Sequence, residues 1–107
     1  MTSFCNLYLT CADEKEADKI VNTLLVKHFV ACVHKIPVSS EFHWQGKIKS
    51  NDEILLVMDS REDLFDEVER EIVKLHSYDS FVLEAIPLSR ISKKAQKWLD
   101  GELKNAS

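Results

Sequence analysis

Hydrophobic residues change their spacing several times along this chain, and the order of the changes limits the folds that the chain can adopt. Apolar and polar residues alternate over Phe4–Cys11, which predicts a first strand. Asp13 followed three residues later by Glu16 is a capping-box pattern, and helical spacing of apolar residues follows it. The pattern predicts a first helix over about residues 14–28.

A long extended stretch, residues 29–49, comes next. Its period-two alternation resumes after a possible break at Pro37, and the pair Asn51 and Asp52 predicts a turn. The stretch 53–59 contains an unbroken apolar run over residues 54–58, which is typical of a central strand buried on both faces.

The last third of the chain repeats the helix and strand patterns. Ser60 and Asp63 resemble a second capping box, and a helical stripe of apolar residues follows over 64–75. Residues 81–88 predict a final strand, and the apolar spacing over 95–103 predicts a short C-terminal helix.

The predicted elements follow the order of a ferredoxin-like βαββαβ sandwich with an extra C-terminal helix: strand, helix, strand, strand, helix, strand, helix. This is an α+β fold in which helices cover one face of an antiparallel sheet. A chain of 107 residues predicts one domain, residues 1–107. An oligomer is predicted from the uncovered face of the sheet, from the long stretch 29–49 and from four aromatic residues without an assigned place. The alternative is that some of these aromatic residues belong to the chain's own core. The four are Phe4, Tyr8, Phe42 and Trp44.

Composition excludes several classes of partner. Lysine plus arginine number 14 against 18 acidic residues, a net charge of −4, and this argues against nucleic acid. No apolar run approaches the roughly 20 residues that span a bilayer. An N-terminus without signal-peptide character and an odd number of cysteines, Cys5, Cys11 and Cys32, predict free thiols and a soluble, cytoplasmic protein.

Four local patterns resemble the CutA divalent-cation tolerance family, in a similarity that runs from about Leu7 to about Leu99. The patterns are Thr-Cys-Ala-Asp-Glu at 10–14, Ala-Cys-Val at 31–33, Phe-His-Trp-Gln-Gly-Lys-Ile at 42–48 and Leu-His-Ser-Tyr at 75–78. The resemblance implies a fold close to that of nitrogen-regulatory PII proteins and a homotrimer in which long hairpins wrap neighbouring subunits. It also implies a role in tolerance of divalent metals, copper above all, and no enzymatic reaction.

The chain departs from the family at one loop. The family's His-Pro-Tyr-x-x-Pro-acidic stretch stands here as His-Ser-Tyr-Asp-Ser-Phe-Val over residues 76–82. Without its two prolines the loop is expected to be less rigid. The acidic residue is also missing, and Glu84 is the nearby residue that could partly replace it.

Cys11 and His76 are the metal ligands that the resemblance favours. A soft thiolate with an imidazole suits copper or zinc, and the metal is expected to be copper or another divalent ion that is not obligatory for the fold. The alternatives remain open: Cys11 as a small buried hydrophobe, and His76 as a cation at a helix terminus. No Cys-x-x-Cys or similar spacing indicates a structural zinc site, and no nucleophile elbow or phosphate-binding loop indicates an enzyme.

A second set of residues is expected to line ligand or interface clefts between subunits: Cys32, Trp44, Lys47, Tyr78 and Glu84. Simpler roles compete, namely interface packing for Trp44, a salt bridge for Lys47 and a core thiol for Cys32. Two functions follow. The first is a trimer that binds divalent metal and supports metal tolerance. The second is a metal-independent trimeric scaffold or PII-like sensor that binds a partner protein or small ligand.

Overall fold

The computed structural model describes residues 3–105, which contain one four-stranded antiparallel sheet and three α-helices. The strands are β1 (Phe4–Cys11), β2 (Cys32–Trp44), β3 (Lys47–Arg61) and β4 (Leu83–Pro87), and the helices are α1 (Glu14–Val26), α2 (Phe65–Leu75) and α3 (Lys93–Glu102). The strands lie in the order β2-β3-β1-β4, and every neighbouring pair is antiparallel. The predicted α+β ferredoxin-like order with an extra C-terminal helix is confirmed.

The core lies between one face of the sheet and the helices. Strand β1 shows why, because its alternate residues are buried against the helices while the residues between them are half-buried on the other face. The helices bury the apolar stripes that their sequences predict. The fully buried residues of these three elements are Cys5, Leu7, Leu9, Cys11, Ala17, Ile20, Leu24, Val68 and Ile72.

Helix α1 begins where its capping box predicts and ends earlier than predicted. The Asp13 carboxylate accepts a hydrogen bond of 2.8 Å from the Glu16 backbone N–H. The helix ends at Val26, because His28 adopts a left-handed conformation with φ of 61° that stops the helical hydrogen-bond pattern.

The stretch 29–49 is not one strand, because the chain reverses within it. Gln45 and Gly46 have φ of 51° and 76° and form a two-residue turn between β2 and β3. Positive φ at both turn residues matches the twist of a tight hairpin. From this turn the two strands pair without a bulge, from Trp44 opposite Lys47 to the far end of β2.

The turn predicted at Asn51 and Asp52 is therefore wrong. Both residues lie inside β3 and pair with β2 along the exposed part of the hairpin. Pro37 does not break β2. This strand is the edge of the sheet, where a residue without a backbone N–H is tolerated.

The second capping box is also wrong. Ser60 is fully buried at the end of β3, and its hydroxyl donates a hydrogen bond of 2.7 Å to the Phe29 carbonyl. A 3₁₀ turn over Glu62–Leu64 follows, and only then does α2 begin. The serine is thus used for tertiary contact rather than for helix capping.

Strand β4 is shorter than predicted, whereas α3 begins two residues before the predicted stripe over 95–103. Strand β4 covers five residues within the predicted 81–88. In α3, Leu99 is buried, whereas Trp98 is 49% exposed although it belonged to the predicted apolar stripe. No helix among residues 3–105 is long and apolar enough to cross a membrane.

The face of the sheet that carries no helix, called the open face below, presents apolar side chains to solvent. Ile36, Trp44 and Ile86 are each between 42% and 46% exposed there, whereas Phe4 belongs to the core. The hairpin projects from the helices, and the described chain measures 44 × 26 × 20 Å. One chain alone therefore leaves an elongated apolar surface unburied.

Replacing Gly46 with alanine tests the hairpin turn. We expect Gly46→Ala to lower the free energy of unfolding by about 1–2 kcal/mol, because a Cβ is disfavoured at positive φ. No atom lies within 4 Å of the added Cβ, so the backbone conformation is the source of the cost. Chemical denaturation measures the change.

Gly101→Ala is the matched control. Its added Cβ also meets nothing within 4 Å, but Gly101 lies in α3. Alanine there should raise the free energy of unfolding by up to about 1 kcal/mol. A change of the same sign in both variants would contradict the turn geometry.

Candidate metal centre

Three elements converge where β1 ends, α1 begins and α2 ends. Cys11 is the last residue of β1, Glu16 lies in the first turn of α1, and His76 follows α2 directly. The thiol sulfur, a carboxylate oxygen and an imidazole nitrogen of these residues all lie within 4.8 Å of one another. We call this group the strand-end cluster.

Both ring nitrogens of His76 have backbone partners. Its Nδ1 accepts a hydrogen bond of 3.1 Å from the Tyr78 backbone N–H, so Nδ1 must carry a lone pair. Its Nε2 therefore carries the hydrogen and donates it to the Thr10 carbonyl at 2.8 Å. The side chain is fully buried, and a backbone carbonyl on one ring nitrogen matches the way in which metal-ligating histidines are oriented.

Glu16 joins the start of α1 to the loop after α2. One carboxylate oxygen accepts a bond of 2.8 Å from the Ala12 N–H, and the other accepts a bond of 2.6 Å from the Ser77 N–H. Burial alone would raise the pKa of Glu16, but these hydrogen bonds hold the pKa below its ordinary value. The nearest carboxylate oxygen lies 3.8 Å from Nδ1 of His76.

Cys11 carries its proton at neutral pH. Burial raises the pKa of the Cys11 thiol to about 12, and the negative charges of Glu16 and Glu53 add to the effect. A metal ion that binds here must therefore displace the thiol proton.

The altered loop, residues 76–82, is anchored in the structure at several points. Ser77 and Tyr78 make the backbone contacts described above, and the rings of His76 and Phe81 stack with centroids 5.3 Å apart. These contacts hold the loop of residues 76–82 in place, although it lacks the two prolines of the family pattern.

A buried carboxylate also meets this loop, and it comes from β3. The Tyr78 hydroxyl donates a bond of 2.7 Å to Glu53, and burial together with this contact raises the pKa of Tyr78 to about 12. Glu84, the replacement suggested by the sequence, instead lies exposed on β4 opposite Tyr8.

A single chain does not bring the residues of the predicted cleft together. Trp44 and Lys47 face each other at the hairpin tip, whereas Cys32 stands at the opposite end of β2. Thirteen extended residues separate the two ends by roughly 40 Å. Tyr78 lies in the loop after α2 and Glu84 on β4. The cleft was expected between subunits, and it stays a prediction.

Glu16 and Glu53 were missed as members of the site. The sequence signal for Glu16 was its capping box, which we interpreted as helix initiation alone. Glu53 begins a predicted strand, and nothing in its local pattern indicates that its side chain is buried beside Tyr78.

The sequence matches the family model of the CutA1 divalent ion tolerance protein over residues 5–102. A divalent-cation tolerance protein CutA from Archaeoglobus fulgidus is 36% identical over 94 residues, which cover 88% of this chain and 92% of that protein. Its counterpart from Pyrococcus horikoshii is 33% identical over 98 residues, covering 92% and 96%. The solved structure of the periplasmic divalent cation tolerance protein CutA from A. fulgidus gives a TM-score of 0.92 at 34% identity, covering 94% of this chain and 99% of that one.

The hydrogen bonds of Glu16 predict a pH dependence of stability. Because the pKa of Glu16 is lowered by folding, its contribution is complete above the ordinary value of 4.5 and is lost as pH falls through the folded value. Glu16→Gln should reduce the free energy of unfolding at pH 7 by about 1.5–3 kcal/mol. It should also flatten the loss of stability below pH 4.5.

Denaturant unfolding at pH 7 and at about pH 3.5, with a chelator present, measures both effects. Glu14→Gln is the matched control, because Glu14 lies in the same helical turn with its side chain 73% exposed. It should change stability by less than about 1 kcal/mol. An equal loss of unfolding free energy in Glu16→Gln and Glu14→Gln would show that the hydrogen bonds of Glu16 do not stabilise the fold.

Proposed function

The chain belongs to the CutA1 divalent ion tolerance family, and from this we propose that it binds a divalent metal ion, copper foremost, as part of the tolerance of such ions. We place the ion at the strand-end cluster of Cys11, Glu16 and His76. The proposed activity is binding rather than catalysis, since the family is one of ion tolerance proteins and not a known class of enzyme.

One observation carries this proposal: a thiol, a carboxylate and an imidazole converge within 4.8 Å from three different elements. Thiolate and imidazole are ligands that suit copper and zinc. The Thr10 carbonyl already orients the His76 ring, so that Nδ1 faces Glu16. Water or a residue of a neighbouring chain would complete the shell.

Metal binding at the strand-end cluster costs free energy, and this cost determines the expected affinity. The ion must displace the proton of Cys11, whose pKa is about 12, and Nδ1 of His76 must give up the Tyr78 N–H. We therefore expect low affinity and ready exchange compared with a structural zinc site. Such behaviour suits a buffer or a sensor of metal ions better than a permanent cofactor.

Titration of the tag-free protein with Zn(II), and with copper supplied as Cu(I) so that the free thiols are not oxidised, tests the site. Cys11→Ser and His76→Ala should each abolish binding at the strand-end cluster, and His43→Ala, an exposed histidine on the hairpin, should leave it intact. Because Cys11 releases one proton, the apparent affinity should rise about tenfold for each pH unit well below 12.

The same number of bound ions, with the same affinities, in the wild type, Cys11→Ser and His76→Ala would exclude these residues as ligands. A wild type that binds neither ion would favour the other function, a metal-independent trimeric scaffold or sensor for a partner protein or small ligand.

We further propose that the protein is a homotrimer in which the hairpin of β2 and β3 contacts neighbouring copies. The half-exposed apolar residues of the open face and the projecting hairpin support this, because monomers seldom leave such a surface in water. We place the trimer in the cytoplasm, which the free thiols Cys5, Cys11 and Cys32 support.

Sedimentation at micromolar concentration should give three times the chain mass of 12.3 kDa. Trp44→Ala should cost about 3–5 kcal/mol, as for a large aromatic side chain removed from a packed contact, and the loss should appear as dissociation on dilution. Trp98→Ala is the control, because Trp98 is equally exposed on α3.

A monomer mass for the wild type would overturn the trimer. Equal dissociation of the Trp44 and Trp98 variants would show that the hairpin is not the contact.

A further inference from the structure

A second group of metal-ligating side chains lies on the open face, away from the strand-end cluster. Cys32 and His34 are two residues apart on β2, so both side chains point to the same face. Asp59 on β3 pairs directly with Cys32. The Cys32 sulfur lies 3.9 Å from Nε2 of His34, and the ligand atoms of all three residues lie within 4.8 Å of one another.

We propose that Cys32, His34 and Asp59 form a second metal site, selective for a borderline-soft divalent ion of the Zn²⁺ class. We call it the sheet-face cluster. It shares no residue with the strand-end cluster, and its three protein ligands come from one chain, so it goes beyond the function proposed above and does not require it.

The spacing of the ligands is close to that of an occupied zinc site. With Zn–S near 2.3 Å, Zn–N near 2.0–2.1 Å and tetrahedral angles, the sulfur and nitrogen stand about 3.5 Å apart. The present separation between Cys32 and His34 is 3.9 Å. A shift of a few tenths of an ångström therefore converts the observed pair into two ligands of one ion.

The carboxylate of Asp59 is already oriented. The Asn6 side-chain amide on β1 donates a hydrogen bond of 2.7 Å to one of its oxygens, which leaves the second oxygen for an ion. The Asp59 backbone carbonyl accepts a further bond of 2.9 Å from the Ala31 N–H. Support of this kind from outside the ligand shell is typical of metal-binding carboxylates.

Loading this site breaks fewer contacts than loading the strand-end cluster. His34 is exposed and Cys32 is half-buried. Burial, and then the charge of Asp59, raise the pKa of the Cys32 thiol, so the sulfur carries its proton before the ion arrives. Zn²⁺ would then form the Zn–S bond as the S–H proton leaves to the buffer, and the His34 nitrogen and the Asp59 oxygen would each contribute a lone pair. One proton is released for each ion bound.

Three protein ligands leave one position of a tetrahedral ion open. Water fills it in a single chain. If the open face meets neighbouring copies in a trimer, a group from a neighbour could fill it instead, and the three ligands from one chain remain the same.

The test is calorimetric titration of the metal-free full chain with Zn²⁺ in two buffers of different ionisation enthalpy, together with Co²⁺ as a spectroscopic probe. Wild type should release one proton per ion at this site and show a thiolate-to-cobalt charge-transfer band. Cys32→Ser should remove the band contributed by the site, and His34→Ala should weaken Zn²⁺ binding by more than tenfold. Asn6→Ala should weaken it by about tenfold, as expected for a group that orients a ligand.

His43→Ala is the control, and it should leave this binding event unchanged. His34 is exposed, so His34→Ala is expected to fold, and circular dichroism verifies that it does. Unaltered Zn²⁺ affinity in both Cys32→Ser and His34→Ala would overturn the sheet-face cluster. Losses in Cys11→Ser and His76→Ala alone would overturn it and support the strand-end cluster. Loss of Zn²⁺ binding in Cys32→Ser and His34→Ala alone would support the sheet-face cluster and count against the strand-end cluster.

Discussion

The two-residue turn at Gln45 and Gly46 fixes the register on which most of this structure depends. From that turn thirteen residue pairs follow without a bulge, ending with Cys32 opposite Asp59. Side chains alternate between faces, so a slip of one residue would exchange every side chain of β2 between the covered face and the open face. The observed register places Lys35 on the covered side, where it contacts Asp18 of α1 at 2.7 Å. The same register puts a thiol, an imidazole and a carboxylate together on the other side. The composition of both faces is thus decided at the hairpin tip, roughly 40 Å from the cluster that it aligns.

Helix initiation and the strand-end cluster use the same groups. Asp13 caps α1, and Glu16 reaches back to the Ala12 N–H as a helix-starting residue does. The second oxygen of Glu16 binds the Ser77 N–H, so the cap also fastens the loop that carries His76. A cap that satisfies otherwise unpaired N–H groups stabilises the fold whether or not an ion is present. The cluster is therefore preorganised by folding. An ion bound there would compete with the backbone N–H groups that already bind Glu16 and His76.

Local patterns predicted the elements of this fold, and they failed where the partner of a residue is distant. Asp13 and Glu16 lie within one helical turn of each other, so their capping box could be recognised. Ser60 resembles a helix cap locally, but its hydroxyl bonds to the Phe29 carbonyl 31 residues earlier. The reversal at Gln45 and Gly46 was missed because Gln-Gly is not among the strongest turn signals, and the alternation continues through it. Cys11 and His76 were named from a family resemblance. That they meet in space follows only from the tertiary structure, in which the His76 ring contacts the Thr10 carbonyl of β1. The pairing of Cys32 with Asp59 depends on the register and could not be predicted from Cys-x-His alone.

The two clusters contain the same three ligand types, and their surroundings make them chemically different. At the strand-end cluster every ligand is engaged: backbone N–H groups bind Glu16 and His76, and burial raises the pKa of Cys11 to about 12. At the sheet-face cluster His34 is exposed and Asn6 holds only one oxygen of Asp59. An ion therefore meets a lower cost of rearrangement on the open face, and the sheet-face cluster should fill first as the concentration of metal rises. The strand-end cluster would fill later, and its occupation would release the Tyr78 N–H from His76. A chain with both clusters would bind metal over a wider range of concentration than a chain with one. Only binding at the strand-end cluster would alter the contacts of the loop after α2.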